Sequence, residues 1–195
     1  MAGAALGAIL IGGQSRRMGT DKVNVTVAGV PMVGHVAAAL EAAGLEVVTM
    51  GGPDRVPGYT NIPDPPGMHG PLAGLAGALD HAGGGPVIVV AVDQPLVRPA
   101  TIEHLAAIQR NDAIIPLHNG YPQVTCALYR ATCLPAIRRI ASVNPAASIR
   151  DLIEFINVRY LEPEEWAEWG EDGRSWLSID TPEDLAAIEA DLENS

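Results

Sequence analysis

The chain has 195 residues, is 48% hydrophobic and carries a formal net charge of -11. That length and apolar content suit a single α/β domain spanning residues 1–195. The acidic balance argues against nucleic acid or an anionic membrane as partner, and no apolar run approaches the ~20 residues of a membrane span.

Ala5 to Ile11 is an apolar run long enough for one buried strand. It lacks the basic start of a secretory signal, so it reads as the first strand of the fold. Val23 to Val27 is short and β-branched, and Ala28-Gly29-Val30-Pro31 makes a turn. Pro31 suits the first position of a helix, whose apolar residues Met32, Val33, Val36, Leu40 and Ala43 recur at helical spacing until Gly44 stops it. Leu45 to Met50 reads as the second parallel strand, broken by Gly51-Gly52-Pro53. Asp54 to Gly70 is rich in proline and glycine and reads as a long loop without regular structure.

Gly70 to Leu79 starts a helix of small residues, which predicts a close approach to the sheet or to a ligand. Pro86 to Val92 has the continuous apolar character of a central parallel strand. A helix over Thr101 to Arg110, a strand over Asp112 to Pro116 and a helix over Ala131 to Ala141 follow. Between the last two, Tyr121 to Tyr129 reads as an antiparallel or edge strand. Ser148 to Phe155 is a short helix and Ile156 to Leu161 a strand. Glu162 to Arg174 is acidic, with Trp166 and Trp169 placed to pack one helical face on the body. Pro182 to Leu192 closes the chain as a helix capped by Thr181 and Asp184. This alternation predicts a doubly wound, mainly parallel sheet with helices on both faces. Cys126 and Cys133 are too few and too far apart for a zinc clip or a redox pair, and read as buried, reduced thiols of a cytoplasmic protein. The five histidines show no metal-ligand spacing.

The chemistry concentrates in Leu10 to Lys22, Leu-Ile-Gly-Gly-Gln-Ser-Arg-Arg-Met-Gly-Thr-Asp-Lys. A buried strand feeds directly into Gly12 and Gly13, whose N–H groups can bind an anion. Arg16, Arg17 and Lys22 add the charge that a polyphosphate needs. A surface loop with scattered bases would not account for that juxtaposition. The loop lacks the Gly-Lys-Ser/Thr of a P-loop and the glycine spacing of a dinucleotide fingerprint. Ligands of doubly wound sheets sit outside the carboxyl ends of the strands, where Asp64 and Asp93 converge with this loop. Asp93 stands at the mouth of an apolar strand, where either a cation such as Mg²⁺ or a turn cap would compensate its charge.

Leu10, Gly12, Gly13, Ser15, Arg17, Met18, Gly19, Asp21 and Lys22 resemble the opening signature of the molybdenum cofactor guanylyltransferase family, with Ile11 in place of its usual alanine. Gly70-Pro71-Leu72-Ala73-Gly74 and Asp93-Gln94-Pro95 are similar to two further motifs of that family. The resemblance implies a Rossmann-like nucleotidyltransferase that transfers GMP from GTP to the phosphate of Mo-molybdopterin and releases pyrophosphate. It implies Leu10, Ile11, Gly12, Gly13, Lys22, Asp64, Gly70 and Asp93 at the nucleotide. It implies that Lys22, Arg17 and Asp93 carry the catalysis and that Asp93 holds Mg²⁺, with Asp180 a second metal ligand by likeness to related cytidylyl- and adenylyltransferases. Arg150 aligns, more loosely, with a family region that faces the acceptor, and Tyr121-Pro122 resembles the family's His-Pro before the strand with Ala127-Leu128-Tyr129.

Ser178-Ile179-Asp180-Thr181-Pro182 stands where the family has Asn-x-Asn-Thr-Pro, whereas related cytidylyltransferases often carry Asp at the second position. A helix-entry turn is the other role open to Asp180. No amide side chain follows the second strand, so guanine would be read by backbone groups of the first loop. The expectation is therefore a cytoplasmic enzyme, monomeric or weakly self-associating, with GTP and Mo-molybdopterin as partners. A molybdopterin cytidylyltransferase, a sugar-phosphate nucleotidyltransferase and a non-catalytic nucleotide-binding regulator remain as alternatives.

Overall fold

The structure, a computed structural model, describes residues 5–11, 25–51 and 56–193. Its centre is set by two strands buried at every residue, β1 (Leu6–Leu10) and β6 (Val87–Ala91). Each presents alternate side chains to opposite faces, as a strand's period of two requires. Ile9, Ile88 and Val90 enter one core, with Val36 and Leu40 of helix α1 (Met32–Ala42) and Ile102 of α3 (Pro99–Ala107). Ala8, Leu10, Val87 and Val89 enter the other, with Leu72 and Leu75 of α2 (Pro71–His81) and Ile137 of α4 (Leu134–Val143). Helices therefore cover both faces, as expected.

Among the described residues the main sheet has eight strands, in the order β10-β7-β9-β6-β1-β4-β5, with β8 paired to β7. The remaining strands are β4 (Glu46–Met50), β5 (Thr60–Ile62), β7 (Ala113–His118), β8 (Tyr121–Pro122), β9 (Cys126–Tyr129) and β10 (Val158–Leu161). Pairs β1–β4, β1–β6, β4–β5 and β7–β10 are parallel, whereas β9 runs antiparallel to β6 and β7. A small separate hairpin joins β2 (Thr26–Val27) to β3 (Val30–Pro31). The chain closes on α5 (Ile149–Leu152), α6 (Pro163–Ala167) and α7 (Pro182–Glu193).

Several expectations need correction. The stretch expected to be irregular, Asp54 to Gly70, contains β5, whose three residues pair with β4. Three residues are too few to show a period, and only the neighbouring strand makes them a strand. Tyr121 to Tyr129 forms two strands; β9 is antiparallel, one of the two alternatives expected, and lies inside the sheet rather than at its edge. Its burial at all four residues follows from that place. Val30 and Pro31 belong to a strand, the turn being Ala28 and Gly29 at φ 48 and 79, and Pro31 precedes the helix instead of opening it. A 3₁₀ turn over Ala131–Cys133 comes before α4. Trp166 and Trp169 both pack on the body as expected, although Trp169 lies beyond α6, where it stacks on His104 of α3 at 4.8 Å.

The glycines of α2 answer a packing demand. A Cβ on Gly77 would lie 2.9 Å from the Pro63 carbonyl oxygen and 3.0 Å from Ile62 Cγ2. One on Gly74 would lie 3.2 Å from the Gly51 nitrogen. Both glycines thus let the helix press on the ends of β4 and β5. Gly77→Ala is expected to cost about 1–3 kcal/mol by overpacking, more than the ~1 kcal/mol that alanine gains in helix propensity. Chemical denaturation of the variant measures the difference.

Cys126 and Cys133 are buried and unpaired, and burial is the main cause that pushes each thiol up to about 12. A thiol reagent at about pH 8 is expected to spare the native protein and to label both only in denaturant. Labelling of the native fold would contradict the burial of both sulfurs.

Candidate active site

Strand register builds one rim. Leu10 is level with Met50 on β4 and with Ala91 on β6, and Met50 is level with Ile62 on β5. The ladder runs one step further, through Ile11 N–H to the Met50 carbonyl at 2.9 Å and Val92 N–H to the Leu10 carbonyl at 3.1 Å. Four parallel strands therefore end together, and the chain leaves β1 between neighbours on its two sides. This is the switch point of a doubly wound sheet, where a crevice opens at the carboxyl ends. Because β9 reverses between β6 and β7, the carboxyl end of β7 at His118 lies on the same side.

Leu10 and Ile11 bury their side chains in the core, each 6% exposed, and deliver the chain to the rim. Gly12, Gly13, Arg16, Arg17 and Lys22 lie outside the described residues. Asp64 comes two residues after β5, so the strand that the sequence concealed is the element that brings it to the rim. Burial raises its pKa, opposed by the Gly70 N–H that donates to it and by the charge of His69. Its Oδ1 is buried with no hydrogen-bond partner among the described residues. Gly70 precedes α2 at φ 86, a conformation that favours glycine. The N–H of His69 donates to the Pro145 carbonyl at 3.0 Å, tying this loop to the one before α5, which carries Arg150.

Asp93 lies in the turn directly after β6 and is partly buried. Its carbonyl accepts from Ile179 N–H at 2.8 Å. The structure thereby brings Asp180, 87 positions later, within one residue of a ladder bond to Asp93. The helix entry there is closed by other groups. Asp184 N–H donates to Thr181 Oγ1 at 3.2 Å, and Asp184 Oδ2 accepts from Thr181 N–H at 2.8 Å and Asp180 N–H at 3.0 Å. The expected Thr181–Asp184 cap is therefore present, and it is complete without the Asp180 carboxylate, which stands in an exposed residue.

Two groups escaped the sequence reading. Gln94 is 1% exposed, and its Oε1 is buried with no partner among the described residues. Asn61 on β5 supplies an amide one strand beyond the place where one was sought, its Oδ1 accepting from Thr49 Oγ1 at 3.1 Å. Asn61 lies in no motif, and Gln94 fills the unspecified middle position of the Asp93-Gln94-Pro95 motif. Gln94 could have been suspected only as a polar residue between an apolar strand and a proline. Tyr121 is 65% exposed on the hairpin beyond β7. Among the described residues no group of three His, Cys, Asp or Glu could hold a metal. Hard oxygen donors in ones and twos, completed by phosphates, suit Mg²⁺ rather than a caged transition metal. A buried, unpartnered Asp64 oxygen fits a site that a ligand or cation completes.

Sheet order and rim together define a nucleotidyltransferase fold. The MobA-like NTP transferase domain matches residues 7–161, and the chain belongs to that family. It is 30% identical over 98% of its length to a protein named probable molybdenum cofactor guanylyltransferase from Pelotomaculum thermopropionicum, covering 95% of that protein. It is 31% identical to the molybdenum cofactor guanylyltransferase of Rhodobacter capsulatus, covering 97% of each chain. Among solved structures it superposes on the molybdopterin-guanine dinucleotide biosynthesis protein A of Archaeoglobus fulgidus with a TM-score of 0.80 at 28% identity, over 97% of this chain and 99% of that one. The 2-C-methyl-D-erythritol 4-phosphate cytidylyltransferase of Thermus thermophilus shares the fold alone, at a TM-score of 0.67 and 19% identity over 95% of this chain and 98% of that one.

The raised pKa of Asp64 has a sign that can be measured. The folded state holds the proton more tightly than the unfolded one, so ionisation costs stability as pH rises through the folded value. Asp64→Asn keeps an acceptor for Gly70 N–H and removes that cost. The variant is expected to melt above the parent at neutral pH, and the gap should close on acidification towards the ordinary carboxylate range of ~4. A gap that is constant with pH would place the carboxylate in open solvent.

Proposed function

We propose that this enzyme transfers GMP from GTP to the terminal phosphate of Mo-molybdopterin and releases pyrophosphate. Near-full-length similarity to proteins named molybdenum cofactor guanylyltransferase carries the reading. The rim supports it, since the loop with Asp64 and Gly70 and the turn with Asp93 follow strands that end level, and Ile179, next to Asp180, bonds to the Asp93 carbonyl. An oxygen of the acceptor phosphate attacks the α-phosphorus of GTP, and the bond from that phosphorus to the bridging oxygen breaks. A phosphate monoester has a second pKa of ~6 and is largely dianionic near neutral pH, so no strong general base is required. The protein's task is to align two anions and offset their charge.

Within this reading Gly12 and Gly13 offer N–H groups to the phosphates. Lys22 and Arg17 face the charge that develops on the leaving pyrophosphate. Asp64 and Gly70 hold the nucleotide, with Leu10 and Ile11 anchoring the loop. Asp93 and Asp180 would hold Mg²⁺, which when bound draws charge from the phosphate oxygens. The enzyme works as one cytoplasmic domain, monomeric or weakly self-associating. Among the described residues no helix is long and apolar enough to cross a membrane.

One observation favours CTP as the second reading. Asp180 replaces the family asparagine, and its carboxylate is not needed for the helix cap. Incubating the protein with Mo-molybdopterin and either GTP or CTP separates the two. Pyrophosphate matched by guanine dinucleotide is expected, and product with CTP alone would reverse the assignment. Asp93→Asn should lower turnover by at least ~100-fold with the fold kept. Asp180→Asn should retain partial activity and raise the half-saturating Mg²⁺, and an unshifted value would remove Asp180 from the metal.

A further inference from the structure

The segment that carries Asp180 to the rim lies beyond the residues matched by the family domain. It contains a buried carboxylate that the proposed reaction does not use. Glu171 is 5% exposed and accepts five hydrogen bonds. On Oε1 they come from the N–H groups of Asp172 at 3.1 Å, Gly173 at 2.9 Å and Ser175 at 3.4 Å. On Oε2 they come from the hydroxyls of Ser175 at 2.6 Å and Thr101 of α3. None of the five donors is a cation. A buried carboxylate is tolerable only when its acceptor sites are filled in this way.

The arrangement reaches the rim through one hydroxyl. Ser175 Oγ donates its only proton to Glu171, which leaves its lone pairs for the N–H of Arg98 at 3.1 Å. Arg98 ends the turn segment that begins at Asp93, and its guanidinium also donates to the Gly170 carbonyl at 2.6 Å. Four residues after Ser175, Ile179 N–H donates to the Asp93 carbonyl. Two short segments, 93–98 and 175–179, are thus stitched together at both ends. Stacking of Trp169 on His104 and the edge-to-face contact of Trp166 with Trp176, each at 4.8 Å, hold the same segment to α3 and to the body.

We infer that Glu171 is a positioning residue for the rim: by orienting the Ser175 hydroxyl it holds the Asp93 turn and the Asp180 segment in one fixed register. Its effect on a bound cation rests on the reading of Asp93 and Asp180 as metal ligands, whereas its hold on the Asp93–Ile179 link does not. In Glu171→Gln an amide NH₂ replaces one acceptor: at the Oε1 place it faces three N–H donors, and at the Oε2 place it makes the Ser175 and Thr101 hydroxyls turn from donating to accepting. Ser175→Ala removes the linking hydroxyl and serves as an independent variant should the first fail to fold. Ile137→Val, buried on the opposite face of the sheet, controls for general loss of stability.

Two measurements test the inference. Hydrogen exchange at the Ile179 amide is expected to quicken about tenfold or more in Glu171→Gln and in Ser175→Ala, the scale of one lost charge-assisted bond. It should stay unchanged in Ile137→Val. Unchanged Ile179 exchange in both rim variants overturns the inference. Mn²⁺ binding to the GTP-loaded protein, followed by electron paramagnetic resonance, should weaken in the rim variants and not in the control. Faster exchange with unaltered Mn²⁺ affinity would overturn the link to the carboxylates. Absence of Mn²⁺ binding in the parent protein would instead refute the metal reading, and faster Ile179 exchange would then still uphold the hold on the Asp93 turn.

Discussion

The placement of the candidate site depends on the level ending of four parallel strands. Parallel pairing fixes register along β1, β4, β5 and β6, and a slip of one residue would turn every side chain to the wrong face. Such a slip is blocked because both faces of β1 and β6 are packed. The same register that fills the two cores therefore aligns the exits of the strands. Core packing and placement of the rim are one constraint.

The glycines of α2 and the position of Asp64 are linked through that constraint. Gly77 allows the helix to touch the Pro63 carbonyl, and Pro63 adjoins Asp64. Close packing brings the helix start and Gly70 against the carboxylate, and the burial that results raises the Asp64 pKa. The chain as a whole is acidic, at -11, which works against polyphosphate substrates at long range. Three of its 12 Lys and Arg residues fall within Arg16 to Lys22, so positive charge is concentrated where the phosphates would lie.

Long helices and fully buried strands were readable from the chain because their patterns are local. The Pro86 to Val92 run could only be a central strand, and α1, α2 and α7 were marked by period and caps. Elements made by their neighbours were not readable. β5 is a strand because β4 lies beside it, and β9 is interior because the chain reverses between β6 and β7. Within the site, Asp64 and Asp93 could be singled out as carboxylates close to a strand exit. Gln94 and Asn61 could not, since their meaning lies in burial and in partners distant in sequence.

The sequence by itself determined the class of fold and the family, because each rests on residues adjacent in the chain. Only the tertiary structure decided that Ile179, the neighbour of Asp180, bonds to the Asp93 carbonyl, that Thr181 and Asp184 close the helix entry, and that Glu171 accepts the Ser175 hydroxyl. Each of those facts joins positions separated along the chain or turns on which atom fills which lone pair. Neither property leaves a trace in composition or period. They arise when burial forces every polar group to find a partner, and the partner available is whatever the fold has brought near.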